Sequence, residues 1–334
     1  MDTAIENKTK TGRANLEVFS STLQELAAQD RNIVVVTSDS RGSGKLVPFG
    51  QKFPEQIVEI GIAEQNLVGV AAGLASAGKK AFAVSPACFL TARALEQIKN
   101  DVAYSDNPVR LIGISAGVSY GALGSTHHSL HDYAVLRAIN NITIVAPADN
   151  YETTEAIKLA AVLNKPIYLR FGKKNMPDLD STSQKAFQFG KGRIIREGTD
   201  VAFIATGETV YPAFQAAKRL AENYNIQATV ISMHTIKPLD YELLESTANT
   251  CNAIITVEEH SVHGGLGEAC ASFLLQHRNS SSGGAWGGLF HIVGIPDEYT
   301  VTGSQNEIFN HYGISESGLA ATAVQMINKK PPSK

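Results

Sequence analysis

The stretch Gly61-Ile62-Ala63-Glu64-Gln65-Asn66-Leu67-Val68-Gly69-Val70-Ala71-Ala72-Gly73-Leu74-Ala75 places one carboxylate, Glu64, ahead of a run of small and apolar residues. A run of this composition predicts a helix that packs closely against its neighbours. A carboxylate at the start of such a helix is expected to be buried, and burial favours the protonated form. A buried carboxylic acid can protonate a heterocyclic nitrogen, so Glu64 is a candidate catalytic residue. By itself, Glu64 is equally compatible with an ordinary surface position near a helix start.

Short β-branched runs alternate with helical stretches on both sides of Glu64, which predicts an α/β fold with mostly parallel sheets flanked by helices. The predicted strands of the first half are 33–37, 80–84, 110–115, 142–145 and 167–170. The predicted helices between them are 14–29, 64–77, 92–104, 130–139 and 151–163.

A second α/β series follows a stretch rich in Lys, Pro, Asp, Ser and Gln. Its predicted elements are strand 201–205, helix 210–224, strand 228–233, helix 241–251, strand 253–258 and helix 266–277, then a Ser/Gly loop at 279–288. We therefore predict two domains with a boundary near residue 185. In full, the predicted division is a flexible arm (1–12), a first domain (13–175), a linker (176–190) and a second domain (191–334).

Composition excludes several classes of function for this chain of 334 residues. A net charge of −3 gives no electrostatic reason to expect binding to nucleic acid or to an anionic membrane. The apolar runs are too short to span a membrane, and residues 1–12 lack the apolar core of a signal peptide. Three widely spaced cysteines, Cys88, Cys251 and Cys270, are typical of reduced thiols, so we expect a cytoplasmic protein without a metal site of its own.

The spelling Gly61–Ala75 resembles the pyrimidine-binding domain of transketolases, which use thiamine diphosphate. The resemblance implies that Glu64 activates the aminopyrimidine ring of that cofactor. Phe89, in Cys88-Phe89-Leu90-Thr91, matches a phenylalanine that stacks on the same ring, although two further aromatic positions are Pro86 and Ala92 here. Asp39 matches an acidic position near the active centre and is expected to support the cofactor site.

The same resemblance implies a site for a phosphorylated sugar. Arg13, Ser43 and Arg170 match positions that hold the substrate phosphate. His127, in Thr126-His127-His128, matches a histidine that contacts substrate. A metal site made of His127, His128 and His131 is the weaker interpretation, because on a helix only His127 and His131 would share a face.

Two positions depart from the family pattern and suggest an unusual substrate. Ser115 stands where a histidine is usual, and Leu123 ends a Gly-Ala-Leu triplet where Gly-Glu-Asp is usual. The missing aspartate recognises a sugar hydroxyl, and leucine cannot accept a hydrogen bond. We therefore expect a branched or modified ketose, such as apulose 4-phosphate or a sulfonated sugar, instead of the standard pentose phosphates.

The Gly-Asp-Gly motif and following Asn, which hold magnesium and the cofactor diphosphate in this family, do not occur in the sequence. The resemblance covers residues 13–330, the pyrimidine-binding and C-terminal domains. We therefore expect the C-terminal, or β, subunit of a split transketolase, active in an α2β2 assembly whose other subunit binds magnesium.

Two alternatives stay open at the level of sequence. The first is the β chain of a 2-oxoacid dehydrogenase first component, which shares the domains and the activating glutamate. Such chains usually have a GHGxxHSQ-like segment, whereas residues 121–132 read GALGSTHHSLHD. The second is a non-catalytic assembly subunit, which the loss of the usual histidine and aspartate keeps possible.

Overall fold

The computed structural model describes residues 11–179, 186–276 and 286–328, and this part of the chain contains three β-sheets. The strands are β1 (Thr11–Ala14), β2 (Ile33–Thr37), β3 (Ile57–Glu59), β4 (Lys80–Pro86), β5 (Arg110–Ile114), β6 (Thr143–Val145), β7 (Ile167–Phe171), β8 (Asn175–Pro177), β9 (Arg193–Arg196), β10 (Val201–Ala205), β11 (Ala228–Ser232), β12 (Thr235–Lys237), β13 (Ala253–Ser261) and β14 (Leu289–Ile295).

The helices lie mostly between these strands. They are α1 (Asn15–Ala27), α2 (Val47–Lys52), α3 (Glu64–Ser76), α4 (Ala87–Arg93), α5 (Leu95–Gln97), α6 (Asp132–Arg137), α7 (Asn150–Val162), α8 (Val210–Tyr224), α9 (Tyr241–Thr250), α10 (Leu266–Gln276), α11 (Gln305–His311) and α12 (Glu316–Asn328). A π-helical segment, Ile98–Tyr104, continues α5.

The largest sheet has seven strands in the order β12-β6-β7-β5-β4-β2-β3. All neighbours in it are parallel except β12 and β6. Strands β2, β5 and β7 are buried along their whole length, because apolar clusters cover both faces of the sheet. Burial on both faces explains why these strands read as continuous apolar runs and not as alternating ones.

The second sheet has five strands in the order β14-β13-β10-β11-β9, and only β9 runs antiparallel to its neighbour. Helices α8 and α12 pack together on one side of it, and α9 and α10 pack on the other. The predicted fold class, two α/β units with mostly parallel sheets, is confirmed.

The boundary between the two units is less simple than the predicted division. Strand β12 belongs to the second half of the sequence but pairs with β6 in the first sheet. Thr11 and Gly12, which we placed in the arm, lie in β1, where Thr11 pairs with Pro177 of β8. Within the predicted linker, Phe187 is buried in the core of the first unit, and residues 180–185 lie outside the described ones, as do arm residues 1–10.

Several predicted elements begin or end elsewhere. The helix predicted at 92–104 begins earlier, at Ala87, because the chain turns into a helix directly after β4. The helix predicted at 130–139 covers only Asp132–Arg137, because Ser129 forms an isolated bridge with Gly117. Most of the Ser/Gly stretch predicted as a loop at 279–288 lies outside the described residues.

The first sheet determines where a ligand site can form. The loops or helices after β2, β3, β4, β5 and β7 contain Asp39, Glu64, Phe89, Ser115 and Lys173 in that order. These five strands are parallel, so their carboxyl ends lie along one edge of the sheet. This edge is where open α/β sheets bind ligands.

Candidate functional site

Glu59 holds together the loops that follow β2 and β3, at one end of this edge. One carboxylate oxygen accepts hydrogen bonds from the backbone N–H of Asp39, at 2.7 Å, and of Gly61, at 3.0 Å. The other oxygen forms an ion pair with Arg41 at 3.2 Å. Asp39 and Gly61 both adopt positive φ angles, 50° and 78°, and Glu59 holds the backbone N–H of each turn. The Glu59 carboxylate thus fixes the loop that leads into Glu64.

Glu64 is the first residue of α3 and is only 3% exposed. Both of its carboxylate oxygens accept hydrogen bonds from Nη1 of Arg93, at 3.1 and 3.0 Å. The Arg93 side chain lies at the end of α4 and is 48% exposed. The carboxylate that the sequence singled out is therefore buried, but it is paired with a cation that no sequence motif indicated.

Phe89 lies one helical turn before Arg93, and it contacts the same guanidinium that bonds to Glu64. The Arg93 guanidinium lies over the Phe89 ring, 4.2 Å from its centroid. The imidazole of His127 packs edge-on against Phe89, with ring centroids 5.3 Å apart. The structure thus brings together Glu64, Phe89 and His127, which lie in three separate motifs of the sequence.

The contacts extend further, to a second cation. Tyr120 packs edge-on against His127, with ring centroids 5.4 Å apart, and the ammonium of Lys173 lies 4.1 Å from the centre of the Tyr120 ring. We call the six side chains from Glu64 to Lys173 the site row. Its members in order of contact are Glu64, Arg93, Phe89, His127, Tyr120 and Lys173.

One end of the site row fits an aminopyrimidine ring. A flat guanidinium already stacks on Phe89 and donates to both oxygens of Glu64. An aminopyrimidine is also flat and can share a proton with a carboxyl group while it stacks on an aromatic ring. Because Ala92 is small and exposed, no bulky side chain from that position limits access to this end.

His127, His128 and His131 do not come together at one site. His127 lies in a turn, where its Nδ1 is 3.0 Å from the hydroxyl of Thr126. His128 is buried between Thr300 and the carbonyl of Gly121, at 2.7 and 3.0 Å. The helix that would have put His127 and His131 on one face begins only at Asp132. No group of three or more His, Cys, Asp or Glu in residues 11–179, 186–276 and 286–328 is arranged to hold a metal ion.

Arg170 is placed differently from what a phosphate ligand requires. The side chain is only 5% exposed, and its donors reach the carboxylate of Asp132 at 2.8 Å and the hydroxyl of Tyr133 at 2.7 Å. Its remaining donor bonds to the carbonyls of Ser129 and Glu259, at 3.0 and 2.7 Å. The bond to Glu259 joins the two units of the fold, and every donor group of Arg170 has a partner, so the geometry favours a structural role for Arg170 over the predicted binding of phosphate.

Arg13 and Ser43, the other two predicted phosphate ligands, lie in β1 and in the loop after β2. Arg13 is exposed and donates to the hydroxyl of Ser21 at 3.1 Å. The adjacent Ser20 donates to the carbonyl of Lys45 at 2.5 Å, two residues after Ser43. Helix α1 therefore connects Arg13 to the loop that contains Ser43.

Lys173 is a candidate anion ligand that was not predicted from the sequence. Partial burial, together with the nearby positive charge of Lys45, lowers the pKa of Lys173. Lys45 itself forms an ion pair with Glu17 at 3.3 Å, so Lys173 is the better placed of the two lysines to bind a phosphate. The signal in the sequence was Gly172-Lys173-Lys174, directly after the end of β7.

The two positions that depart from the family pattern differ in their surroundings. Ser115 is fully buried with a φ of 53°, at the point where the chain leaves β5. Leu123 is 56% exposed, at the end of a short 3₁₀ helix that begins at Gly121. Leu123 therefore presents an apolar side chain to solvent, within the segment that also contains His127.

No stretch of helix in the described part of the chain has the length and apolar character to cross a membrane.

Comparison with known proteins identifies the two units. Residues 12–178 match the family model "Transketolase, pyrimidine binding domain", and residues 190–319 match "Transketolase, C-terminal domain".

Individual relatives match nearly from end to end. The chain is 47% identical to a subunit of apulose-4-phosphate transketolase from Phocaeicola vulgatus, over 93% of this chain and 96% of that protein. It is 36% identical to "Putative transketolase C-terminal section" of Methanocaldococcus jannaschii, over 93% and 96% of the two chains. A solved structure titled "Split gene transketolase, inactive beta4 tetramer" has a TM-score of 0.82 at 35% identity, covering 96% of this chain and 100% of that one.

Proposed function

We propose that this chain, which belongs to the transketolase family, is the C-terminal subunit of a split transketolase and transfers a two-carbon ketol unit from a ketose phosphate to an acceptor sugar. The observation that carries the proposal is the site row. It places a buried carboxylate beside an aromatic ring at one end and a lysine ammonium at the other. This arrangement suits an enzyme that holds a flat cofactor ring next to an anionic substrate.

Thiamine diphosphate, which the family implies, would supply a carbanion-stabilising centre when bound. In that state Glu64 would exchange a proton with a ring nitrogen of the aminopyrimidine, and Phe89 would stack on the ring. Burial of Glu64 excludes water from the proton that it shares, which supports this role. Asp39, held by Glu59, would support the loop beside this site.

The substrate would lie toward the other end of the site row. His127 contacts Phe89 and Tyr120, so it would hydrogen-bond to the substrate next to the cofactor ring. Lys173, together with Arg13 and Ser43, would hold the phosphate. Ser115, also predicted to contact substrate, directly follows β5 and precedes the segment that contains Tyr120 and His127. Arg170, oriented by Asp132, would fix the two units through its hydrogen bond to the Glu259 carbonyl, instead of binding phosphate.

A partner subunit would complete the site. The sequence lacks the Gly-Asp-Gly motif, and the partner would bind magnesium and the cofactor diphosphate. The surface near Glu64 suits such a partner, because Ile62 is 72% exposed. In addition, a Cβ atom added at Gly69 or Gly73 of α3 would meet nothing within 4 Å. We propose an α2β2 assembly that uses this surface.

The proposed donor is a branched ketose phosphate such as apulose 4-phosphate. The name of the Phocaeicola vulgatus relative and the exposed apolar Leu123 both support it. Leu123→Asp is expected to raise kcat/KM for xylulose 5-phosphate about tenfold, because it restores an acceptor for a sugar hydroxyl. Ala122→Asp, one residue away and also exposed, is the matched control. Equal effects of the two substitutions would contradict a specific role for Leu123.

The function itself is tested by purifying the chain from its own cells at native levels and identifying what co-purifies by mass spectrometry. We expect a stoichiometric partner with a Gly-Asp-Gly motif followed by an asparagine. The reconstituted complex, supplied with thiamine diphosphate and Mg²⁺, should transfer a two-carbon unit from a ketose phosphate to an aldose phosphate. A chain that purifies without any such partner would contradict the two-subunit proposal.

A further inference from the structure

We propose that Arg93 occupies the place of the cofactor ring when the cofactor is absent, and that the ring and Arg93 exclude each other. This inference rests on the proposed function. It concerns a contact inside this chain, between the end of α4 and the start of α3. It makes cofactor binding an exchange of partners at Glu64, not entry into an open site.

The Arg93 guanidinium fills the position that lies over Phe89 and within hydrogen-bond reach of Glu64. The Arg93 guanidinium lies 4.2 Å from the centre of the Phe89 ring and donates to both oxygens of Glu64. His127 packs against the same phenylalanine at 5.3 Å, which leaves less of the ring free. A ring that stacks on Phe89 and also reaches Glu64 must use the volume of the guanidinium. The two groups therefore cannot be bound together.

Electrostatics also connect Arg93 with Glu64. Glu64 is 3% exposed, and a buried carboxylate without a partner is costly. In the chain without cofactor, Arg93 is the partner that both oxygens of Glu64 have. When the ring replaces Arg93, Glu64 loses its cation and is free to share a proton with the ring nitrogen.

Arg93 is also placed where it can move. Its side chain is 48% exposed and ends a helix of seven residues, so it can turn into solvent without disturbing the core. Its contacts with Glu64 and Phe89 are of the partly exposed kind, which are weak enough to be exchanged. Arg170, by contrast, has a 5% exposed side chain with partners on both units and could not be displaced in this way.

The test uses the complex of this chain with its partner and measures the dissociation constant of thiamine diphosphate in the presence of Mg²⁺, by calorimetry. Arg93→Gln removes the charge and the guanidinium plane, so the cofactor no longer has to displace an ion pair. We expect the cofactor to bind about tenfold more tightly than to the wild type. Arg219→Gln removes a partly exposed arginine from its ion pair with Glu316 and should leave the constant unchanged.

Arg93→Lys keeps the charge but has no plane to stack on Phe89, and we expect a dissociation constant between those of wild type and Arg93→Gln. Weaker binding by Arg93→Gln would show that the arginine stays beside the bound ring, and unchanged binding would show that it does not compete. Either result overturns the inference while the proposed function stands. A wild-type complex that does not bind thiamine diphosphate would instead overturn both.

The pairing in the free chain is checked separately with an arginine-selective dicarbonyl reagent and mass spectrometry. Glu64→Gln should raise the labelling rate of Arg93 severalfold and leave that of Arg219 unchanged. Equal labelling of Arg93 in the two proteins would show that the ion pair does not persist in solution, and it would also overturn the inference.

Discussion

Two polar regions of this molecule both contain an arginine paired with a carboxylate, but their surroundings differ. In the site row, the Arg93 side chain is 48% exposed and contacts Glu64 and Phe89. In the second region, which we call the interdomain seam, Arg170 is 5% exposed and contacts Asp132, Tyr133 and two backbone carbonyls.

The interdomain seam also contains a pair of buried carboxylates. The amide of Gln305 donates to Glu208 at 2.7 Å and to Glu259 at 2.8 Å, and Glu259 accepts a further hydrogen bond from the backbone of Val118 at 2.9 Å. The hydrogen bond from Val118 to Glu259 joins the two units of the fold, as the one from Arg170 to the Glu259 carbonyl does. An ion pair whose donors all have buried partners thus holds a fold together, whereas a half-exposed one can exchange its partner for a ligand.

The greatest loss of activity is expected at the carboxylate of the site row. Glu64→Gln should lower turnover of the assembled enzyme by at least about a hundredfold, the usual contribution of general acid–base catalysis. Unfolding in urea should change little, because the partner that it loses is half exposed. Glu96→Gln, at an exposed position of α5, is the control. Full activity of the Glu64 variant would restore the hypothesis of a non-catalytic assembly subunit.

Arg170→Met tests the interdomain seam. Removing the guanidinium leaves Asp132 buried without its cation, which should lower the free energy of unfolding by about 3 to 5 kcal/mol. Urea denaturation followed by circular dichroism measures it, with the partly exposed Arg196→Met as a control expected to stay within about 0.5 kcal/mol. If stability is unchanged while KM for sugar phosphates rises, Arg170 is the phosphate ligand that the sequence predicted.

The sequence predicted regular elements well where local pattern and burial agree. Strands β2 and β10 and helix α8 have the predicted bounds, because continuous apolar runs and amphipathic spacing determine them locally. Strand β12 was not predicted, since its pairing with β6 depends on how the second unit folds back onto the first. Pairing over such a distance leaves no local signal.

The candidate site was predictable only in part. The order of the motifs along the chain indicated which residues come together. Glu64, Phe89 and His127 lie close to one another as expected. A motif does not determine which way a side chain faces. Arg170 on a buried strand and Lys173 just beyond its end are three residues apart, yet one lies in the core and the other faces Tyr120. The roles assigned to all these residues stay predictions.

Lys173→Met tests the other end of the site row. Loss of the ammonium should raise KM for a phosphorylated sugar about tenfold to a hundredfold, because a charge-assisted hydrogen bond to phosphate is lost. Lys174→Met is the matched control, since the neighbouring lysine bonds to Asn306 instead. The measurement compares KM for a sugar phosphate with KM for the same sugar without phosphate. An equal rise for both substrates would exclude a phosphate-specific role for Lys173.

The mildest change is expected in the pH dependence of the interdomain seam. Burial, with the neighbouring charge of Glu259, raises the pKa of Glu208 from its usual 4.5 to about 8. The folded state therefore binds a proton that the unfolded state releases, so this contribution to stability is complete below pH 4.5 and is lost as pH rises through about 8. One proton corresponds to about 1.4 kcal/mol per pH unit.

Glu208→Gln keeps a neutral side chain of similar shape and should reduce the loss of stability between about pH 6 and pH 8 by about 1 to 2 kcal/mol. Asp149 and Glu258, whose pKa values are raised to about 6 and about 7, contribute to the remaining slope in both proteins. Urea denaturation at several pH values measures the difference, with exposed Glu222→Gln as the control. If the slope of unfolding free energy against pH is the same in both proteins, Glu208 is ionised in the folded state. Its hydrogen bond from Gln305 is neutral, so a nearby cation would then have to balance the charge.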